Sequence, residues 1–265
     1  MLAISKEKVN VLASVRNSIL ILKSFSENRP AWKVTDLAKS LGLAKSTVSR
    51  LVTTLASEGL LKKNPKTGEY HLGLGVLALS GVLMQHLEIH KQAAPILSQL
   101  AAATKEATHL AILDGFDTVY IDKEESLYEV KMKTFLGRRN PTHAVSSGKV
   151  LLAFSDQAFI EAYIKNGLQA FASRTIMDPT TLKKTLERIR KDGYATSYAE
   201  MSESIASVAA PVRDYKGKVV AAITVVGKEN RFNTSRMNHL IRLVKEASDE
   251  ISERMGYDKR FFRNV

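Results

Sequence analysis

Residues 35–55 read TDLAKSLGLAKSTVSRLVTTL, a spacing typical of two short helices joined by a tight turn. Ala38 is small where two crossing helices approach closely, and Gly42 supplies a conformationally free turn residue four positions later. From Val48 onward, apolar residues recur at helical spacing and pin the second helix to the rest of the bundle. Thr35 is expected to cap the first helix. The stretch therefore predicts a helix-turn-helix.

Polar and cationic side chains occupy the outward positions at the leading end of the second helix. That end meets base edges in the major groove in helix-turn-helix proteins. A bundle with a merely solvated face is the alternative, but Ser and Thr are poor choices for a helix interior. We therefore predict DNA contacts from Thr35, Lys45, Ser46, Thr47, Ser49 and Arg50.

The segments on either side complete the predicted DNA-binding domain. An apolar helical pattern over 15–25 precedes the helix-turn-helix, and two short strands follow it around a turn-rich loop at 64–68. The basic residues Lys62, Lys63 and Lys66 of this hairpin are suited to phosphate contacts, which add affinity but little sequence discrimination. Residues 14–72 thus predict a winged helix-turn-helix that binds double-stranded operator DNA.

Composition and charge agree with a DNA-binding protein. The 265 residues carry a net charge of +12, and residues 1–78 hold 12 basic against five acidic side chains. The absence of cysteine excludes disulfides and thiolate chemistry and fits a reducing compartment, so we expect a cytoplasmic location. No apolar run reaches the roughly 20 residues that span a bilayer. We expect no membrane partner.

Motifs for cofactors and metals are weak or missing. No G-x-G-x-x-G or Walker sequence is present, so no cofactor is expected. His86 and His90 have a spacing that can ligate a metal, but no third ligand is evident, and surface or interface histidines are the simpler interpretation.

Residues 73–90 are too apolar for a linker, and we expect a connecting helix. This helix has more apolar surface than one neighbouring element would cover, which predicts a partner subunit and a homodimer. Its apolar stripe comprises Val76, Leu79, Leu83 and Leu87.

The remaining sequence mixes helical and strand patterns. Pro95 is expected to open a helix, and hairpin-spaced strands follow, which favours an antiparallel sheet with helices on its faces over a doubly wound parallel sheet. The fold class is therefore α+β with two domains. We divide the chain into a DNA-binding domain (1–73), a connecting helix (74–90) and a second, α+β domain (91–265).

Residues 146–149 read SSGK and permit two interpretations. The S-x-x-K spacing can place a serine nucleophile beside a lysine base, but no companion motif is present. The alternative is a ligand-binding helix in which Ser146 or Ser147 caps the N-terminus, Gly148 allows close approach and Lys149 reinforces a positive field. Free N–H groups at such a terminus attract anions.

Six stretches together resemble the IclR family of bacterial transcription regulators. The resemblance implies a winged helix-turn-helix, a GAF-like effector domain, dimers or tetramers, and promoter control by a small metabolite. The stretches are TDLA (35–38), LAKSTVSRL (43–51), GEYHLG (68–73), SGKVLLA (147–153), GYA (193–195) with Glu200, and AAPV (209–212).

The resemblance also implies an effector pocket bordered by Ser146, Ser147 and Gly148. Carried over position by position, it adds Ser197, Ser207, Thr224 and Val226, of which Val226 departs from the small polar residue expected there. The favoured function is a repressor that responds to a small metabolite bearing a carboxylate. The alternative is a DNA-linked enzyme with Ser/Lys chemistry.

Overall fold

The computed structural model describes residues 11–26, 28–125, 127 and 135–262. The chain forms two compact units, 1–86 and 87–265. The described elements of the first unit are α1 (Ala13–Lys23), α2 (Val34–Leu41), α3 (Lys45–Ser57), β1 (Leu61–Lys63), β2 (Tyr70–Leu72) and α4 (Leu74–His86).

The core of the first unit confirms the predicted winged helix-turn-helix. Ile21 of α1, Leu37 of α2 and Val48 of α3 are fully buried against one another. Gly42 ends α2 in the left-handed conformation, with φ of 63°, which turns the chain towards α3. β1 and β2 pair antiparallel as the wing, and Trp32 extends this small sheet by exchanging two backbone hydrogen bonds with Tyr70.

Two local predictions in this unit are wrong. Lys33, not Thr35, occupies the N-cap of α2, because Val34 packs against the core and the first turn begins two residues earlier. The connecting helix ends at His86 rather than at residue 90, and extended backbone at Leu87 separates it from the next helix.

The second unit is an α+β domain, as the sequence predicted. In chain order its elements are α5 (Glu88–Thr104), β3 (Ala107–Asp114), β4 (Asp117–Glu124), β5 (Arg139–Pro141), α6 (Ser146–Ala153), α7 (Gln157–Lys165), α8 (Pro179–Asp192), β6 (Ala195–Tyr198), β7 (Ile205–Arg213), β8 (Val219–Lys228), α9 (Thr234–Arg254) and α10 (Lys259–Phe262). Among the described residues, the strands form one sheet in the order β5-β4-β3-β8-β7-β6, and every pairing is antiparallel.

The two faces of this sheet have different coverings. α5 and α9 pack on the face to which β7 contributes Ala206, Val208 and Ala210. α6, α7 and α8 pack on the opposite face, to which β7 contributes Ala209. Because neighbouring residues of a strand point to opposite faces, Ser207 lies on the α6 side of the sheet.

Pro95 lies inside α5 and does not open it. A proline inside a helix removes one backbone hydrogen bond. Buried apolar side chains on both sides of it, including Ala93, Ile96 and Leu97, hold the helix against the sheet and offset that loss.

No helix among the described residues is both long enough and apolar enough to cross a bilayer.

Candidate functional site

The face of α3 that is predicted to read DNA is exposed and does not pack against the protein core. Val48, Val52 and Leu55 are buried on the inner face of the helix. The outer face carries the exposed side chains Lys45, Ser46, Thr47, Ser49 and Arg50. This division leaves three hydroxyls and two cations available to base edges and phosphates. Thr35 is exposed as the second residue of α2, where its hydroxyl lies 3.3 Å from the Asp36 carboxylate.

The wing presents the three predicted lysines. Lys62 and Lys63 are exposed on β1, and Lys66 is exposed in the turn that follows. Asn64 orders this turn, since its side-chain oxygen accepts hydrogen bonds from the backbone N–H groups of Lys66, at 2.9 Å, and Thr67. A cationic hairpin held in one conformation is well suited to contact the DNA backbone.

The second unit contains a cavity of about 280 Å³ on the α6 side of the sheet. The sheet contributes Tyr120, Asn140, Ser197, Ser207, Thr224 and Val226 to its wall. The segment that enters α6 contributes Ala144, Val145 and Ser146, the segment between β6 and β7 contributes Met201 and Ser202, and Ile205 at the start of β7 completes this part of the wall. Arg138, just before β5, also lines it.

The N-terminus of α6 opens onto this cavity. Val145 occupies the N-cap and provides no side-chain hydrogen bond, which corrects the expectation that Ser146 or Ser147 caps the helix. Ser146 is instead the first helical residue, and its hydroxyl is 2.7 Å from that of Ser207 on β7. The first-turn N–H groups of a helix have no intrahelical acceptor, so this end carries a partial positive charge towards the cavity.

Ser147 and Gly148 do not line the cavity. The Ser147 hydroxyl is buried against that of Tyr120, whose pKa is raised to about 12 by burial. Gly148 does permit a close approach, but to the chain itself. A β-carbon there would lie 2.2 Å from the carbonyl oxygen of Thr142 and 2.7 Å from Oγ1 of Thr118.

The expectation that Lys149 reinforces a positive field at the ligand site is wrong, because Lys149 does not line the cavity. Its buried Nζ donates hydrogen bonds of 2.5 and 2.6 Å to the two carboxylate oxygens of Glu200. Burial lowers the pKa of Lys149, and Glu200 opposes that shift. The backbone carbonyl of Glu200 also accepts a hydrogen bond from Thr175. The pair therefore fastens the segment that carries Met201 to α6.

His90 has a protein partner. Its Nδ1 lies 2.9 Å from Oδ2 of Asp122. Within the described part of the chain, no group of three His, Cys, Asp or Glu side chains has the arrangement of a metal site.

Two family models match successive parts of the chain. The model of the IclR helix-turn-helix domain matches residues 14–65, and that of the bacterial transcriptional regulator IclR C-terminal domain matches residues 82–253. The HTH-type transcriptional regulator KipR of Bacillus subtilis is 33% identical over 245 residues, which cover 92% of this chain and 97% of KipR.

The chain belongs to the IclR family. XynR of Escherichia coli is 31% identical over 249 residues, which cover 93% of this chain and 98% of XynR. Among solved structures, Thermotoga maritima IclR is 28% identical with a TM-score of 0.77, covering 92% of this chain and 99% of that one. An IclR homolog from Microbacterium hydrocarbonoxydans, solved with 4-hydroxybenzoate, shares the fold at 23% identity and a TM-score of 0.83. The match covers 92% of this chain and 99% of that one.

Membership of the IclR family decides between the two functions considered. The similar proteins are helix-turn-helix transcriptional regulators, and this chain is a regulator of that type rather than an enzyme. The geometry of the S-x-x-K stretch agrees, because the Ser146 hydroxyl is bonded to Ser207 while the Lys149 amine is bonded to Glu200. A general base must lie within hydrogen-bond reach of its nucleophile.

The sequence predicted part of the wall of this cavity and missed the rest. Ser146, Ser197, Ser207, Thr224 and Val226 line the cavity as expected, and Val145 and Ile205 add apolar wall. Tyr120, Arg138, Asn140, Met201 and Ser202 were missed. For Tyr120 a signal was present in the strand pattern of TVYI (118–121), where alternation gives every second side chain to the same face.

Proposed function

We propose that this IclR-type regulator is a repressor whose operator binding is changed by a small carboxylate held in the cavity of the second unit. The observation that carries the proposal is the character of the cavity wall. It combines the N-terminus of α6 with the guanidinium of Arg138, and no acidic side chain is present among the described residues that line it. Such a wall favours anions over cations and offers hydrogen-bond donors to a carboxylate.

The size of the cavity supports a compact ligand. Small-molecule pockets commonly span about 300 to 1,000 Å³, and the cavity of about 280 Å³ lies just below that range. Val145, Ile205 and Val226 provide apolar wall for a short carbon chain or one ring. The Microbacterium homolog, which shares the fold with this chain, was solved with a carboxylate of that size.

DNA binding is assigned to the exposed face of α3, together with the wing. Lys45 and Arg50 are the cations placed to read base edges, and Ser46, Thr47 and Ser49 supply hydroxyls beside them. Thr35 at the start of α2 is placed for a phosphate contact, and Lys62, Lys63 and Lys66 supply the contacts of the wing. Repression follows if the operator overlaps a promoter, and a relative of this chain, AllR of Escherichia coli, is named a repressor.

Self-association is the third part of the proposal. Leu77, Leu79, Val82 and Leu83 of α4 are exposed, and α4 has no buried residue within the described chain. An apolar helix of this kind is suited to pack against its copy in a second subunit, and a dimer would place two recognition helices on two half-sites. Because a regulator of this type binds chromosomal DNA, we assign it to the bacterial cytoplasm.

A gel-shift titration on DNA upstream of the gene tests the proposal. Small carboxylates, neutral sugars and amines are compared, and we expect the carboxylates alone to change the affinity. Ser207→Leu fills the cavity and should abolish the response while DNA binding survives; Ser235→Leu, on the exposed surface of α9, is the matched control and should respond normally. A response confined to neutral or cationic compounds, or retained in full by Ser207→Leu, contradicts the pocket assignment.

A further inference from the structure

The outer face of the wing carries a histidine that the DNA contacts assigned above do not include. The register of β1 and β2 places His71 directly opposite Lys62. Side chains that lie opposite each other in an antiparallel pair share one face of the sheet, with their β-carbons about 5 Å apart. The neighbouring residues Leu61 and Tyr70 point to the other face, where both are buried in the core of the first unit. Lys62 and His71 therefore face away from that core.

The segment at Trp32 places a further charged pair on the outer face. Trp32 pairs antiparallel with Tyr70, so the next residues, Lys33 and Glu69, also lie opposite each other. Glu69 comes two residues before His71 and, because side chains alternate along a strand, it lies on the same face. The charged groups that share the outer face with the histidine are thus Lys62, Lys33 and Glu69. A proton on His71 adds to a face on which cations already outnumber acids.

The imidazole of His71 is free to take an external partner. It is half-buried and, among the described residues, has neither a hydrogen-bond partner nor an ion-pair partner. Other histidines of the chain are already committed. His109 and His143 are buried, and burial lowers the pKa of both. His90 contacts Asp122. His71 is therefore a titratable group on the DNA-binding unit that no group of the protein satisfies.

We infer that His71, as the imidazolium, contacts a DNA phosphate from the wing, so that the protein takes up a proton from solvent when it binds DNA. A phosphate beside the ring favours its charged form, and the charged ring donates a charge-assisted hydrogen bond to a phosphate oxygen. The affinity for DNA therefore rises as the pH falls through the range in which histidines change charge. This inference rests on the proposed function, since it takes Lys62 and Lys63 as DNA contacts of the wing.

The test is the affinity of the full-length protein for DNA at about pH 8 and about pH 6, measured by fluorescence anisotropy. Two labelled duplexes of equal length are compared, the DNA upstream of the gene and an unrelated sequence. We expect the wild-type protein to bind both duplexes about fivefold more tightly at the lower pH, because a phosphate contact carries no sequence information. The slope of log affinity against log salt concentration should also steepen by about 0.9, the value for one more neutralised phosphate.

Two substitutions of the histidine separate its charge from its shape. His71→Gln cannot become cationic and should bind DNA at both pH values as the wild-type protein does at the higher pH. His71→Lys stays cationic and should bind at both pH values as the wild-type protein does at the lower pH. His239→Gln, on the exposed surface of α9, is the matched control and should keep the wild-type pH dependence.

Calorimetry of DNA binding in two buffers with different ionisation enthalpies counts the protons directly. The wild-type protein should take up protons near pH 7, and His71→Gln should take up fewer. Circular dichroism spectra and unfolding midpoints show whether each variant is folded.

Lys62→Gln and Lys63→Gln separate this inference from the proposed function. If the lysine variants bind DNA more weakly but the wild-type affinity does not depend on pH, or if His71→Gln keeps the full pH dependence, the proton-linked contact is overturned while the wing contacts stand. If the lysine variants bind normally but His71→Gln loses the pH dependence, the lysine contacts are overturned and the histidine contact stands. If the lysine variants bind normally and His71→Gln behaves as the wild-type protein, both are overturned.

Discussion

The buried ion pair between Lys149 and Glu200 makes a quantitative prediction about the effector domain. The exposed fractions of the two side chains are 2% and 9%, and the ammonium donates to both carboxylate oxygens. Glu200→Gln removes the negative charge and keeps the size of the side chain. Lys149 is then left buried and charged without its counter-ion. Breaking a buried pair in this way typically costs about 3 to 5 kcal/mol of unfolding free energy.

A loss of that size is easily measured. For a domain of roughly 150 to 250 residues, each kcal/mol lowers the melting temperature by about 2 to 4 °C, so Glu200→Gln should lower it by roughly 6 to 20 °C. Urea unfolding followed by far-UV circular dichroism gives the free energy directly. Replacing both members, as Lys149→Met with Glu200→Leu, should recover much of the loss, because no unpaired charge remains.

A surface pair provides the matched control. Lys183 and Glu161 lie 2.7 Å apart with exposed fractions of 42% and 51%. Exposed pairs contribute about 0 to 1 kcal/mol, so Glu161→Gln should change the stability little. Equal effects of Glu200→Gln and Glu161→Gln would refute this prediction, because the expected difference comes from the burial of the first pair.

Three further predictions concern other residues. Burial lowers the pKa of His109 to about 3, so the folded protein excludes a proton that the unfolded chain binds below pH 6.5. The free energy of unfolding should therefore fall by about 1.4 kcal/mol per pH unit between pH 6 and pH 4. Urea titrations of His109→Asn should lack this pH-dependent loss of stability. Arg50→Ala should weaken operator binding by about 1 to 3 kcal/mol and relax specificity at one base pair. Lys63→Ala should weaken binding to all DNA sequences alike and reduce the slope of log affinity against log salt concentration by about 1. An unchanged anisotropy titration for either variant would refute the DNA contact of that residue. Gly148→Ala should cost about 1 to 3 kcal/mol in unfolding free energy, because its β-carbon would lie 2.2 Å from the Thr142 carbonyl oxygen, and an unchanged urea midpoint would refute that contact.

The parts of the fold that sequence predicted are those specified by local pattern. The helix-turn-helix follows from apolar spacing around Val48 and the turn at Gly42, which act within about ten residues of each other. Ser207 and Thr224 were predicted from the family resemblance and not from local pattern, and both line the cavity. The limits of α4 and α5 were missed because Leu87 interrupts two apolar helical patterns that are continuous in sequence.

The missed parts of the site depend on contacts between distant segments. Lys149 is 51 residues from Glu200, and no local signal identifies one as the partner of the other. Asn140 belongs to a strand of three residues, too short for alternation to be visible. Its burial follows from pairing with β4 and from the cavity beside it, both of which are properties of the folded sheet.

The most direct test of the central claim measures one acid against two forms of the protein. Calorimetry gives the affinity of a carboxylate that shifts the DNA complex, first for the free regulator and then for the regulator saturated with upstream DNA. Because coupling between two sites is reciprocal, the acid affinities should differ by the same factor by which the acid changes DNA affinity. Equal acid affinities in the two titrations would contradict a regulator whose DNA binding is controlled from the cavity of its second unit.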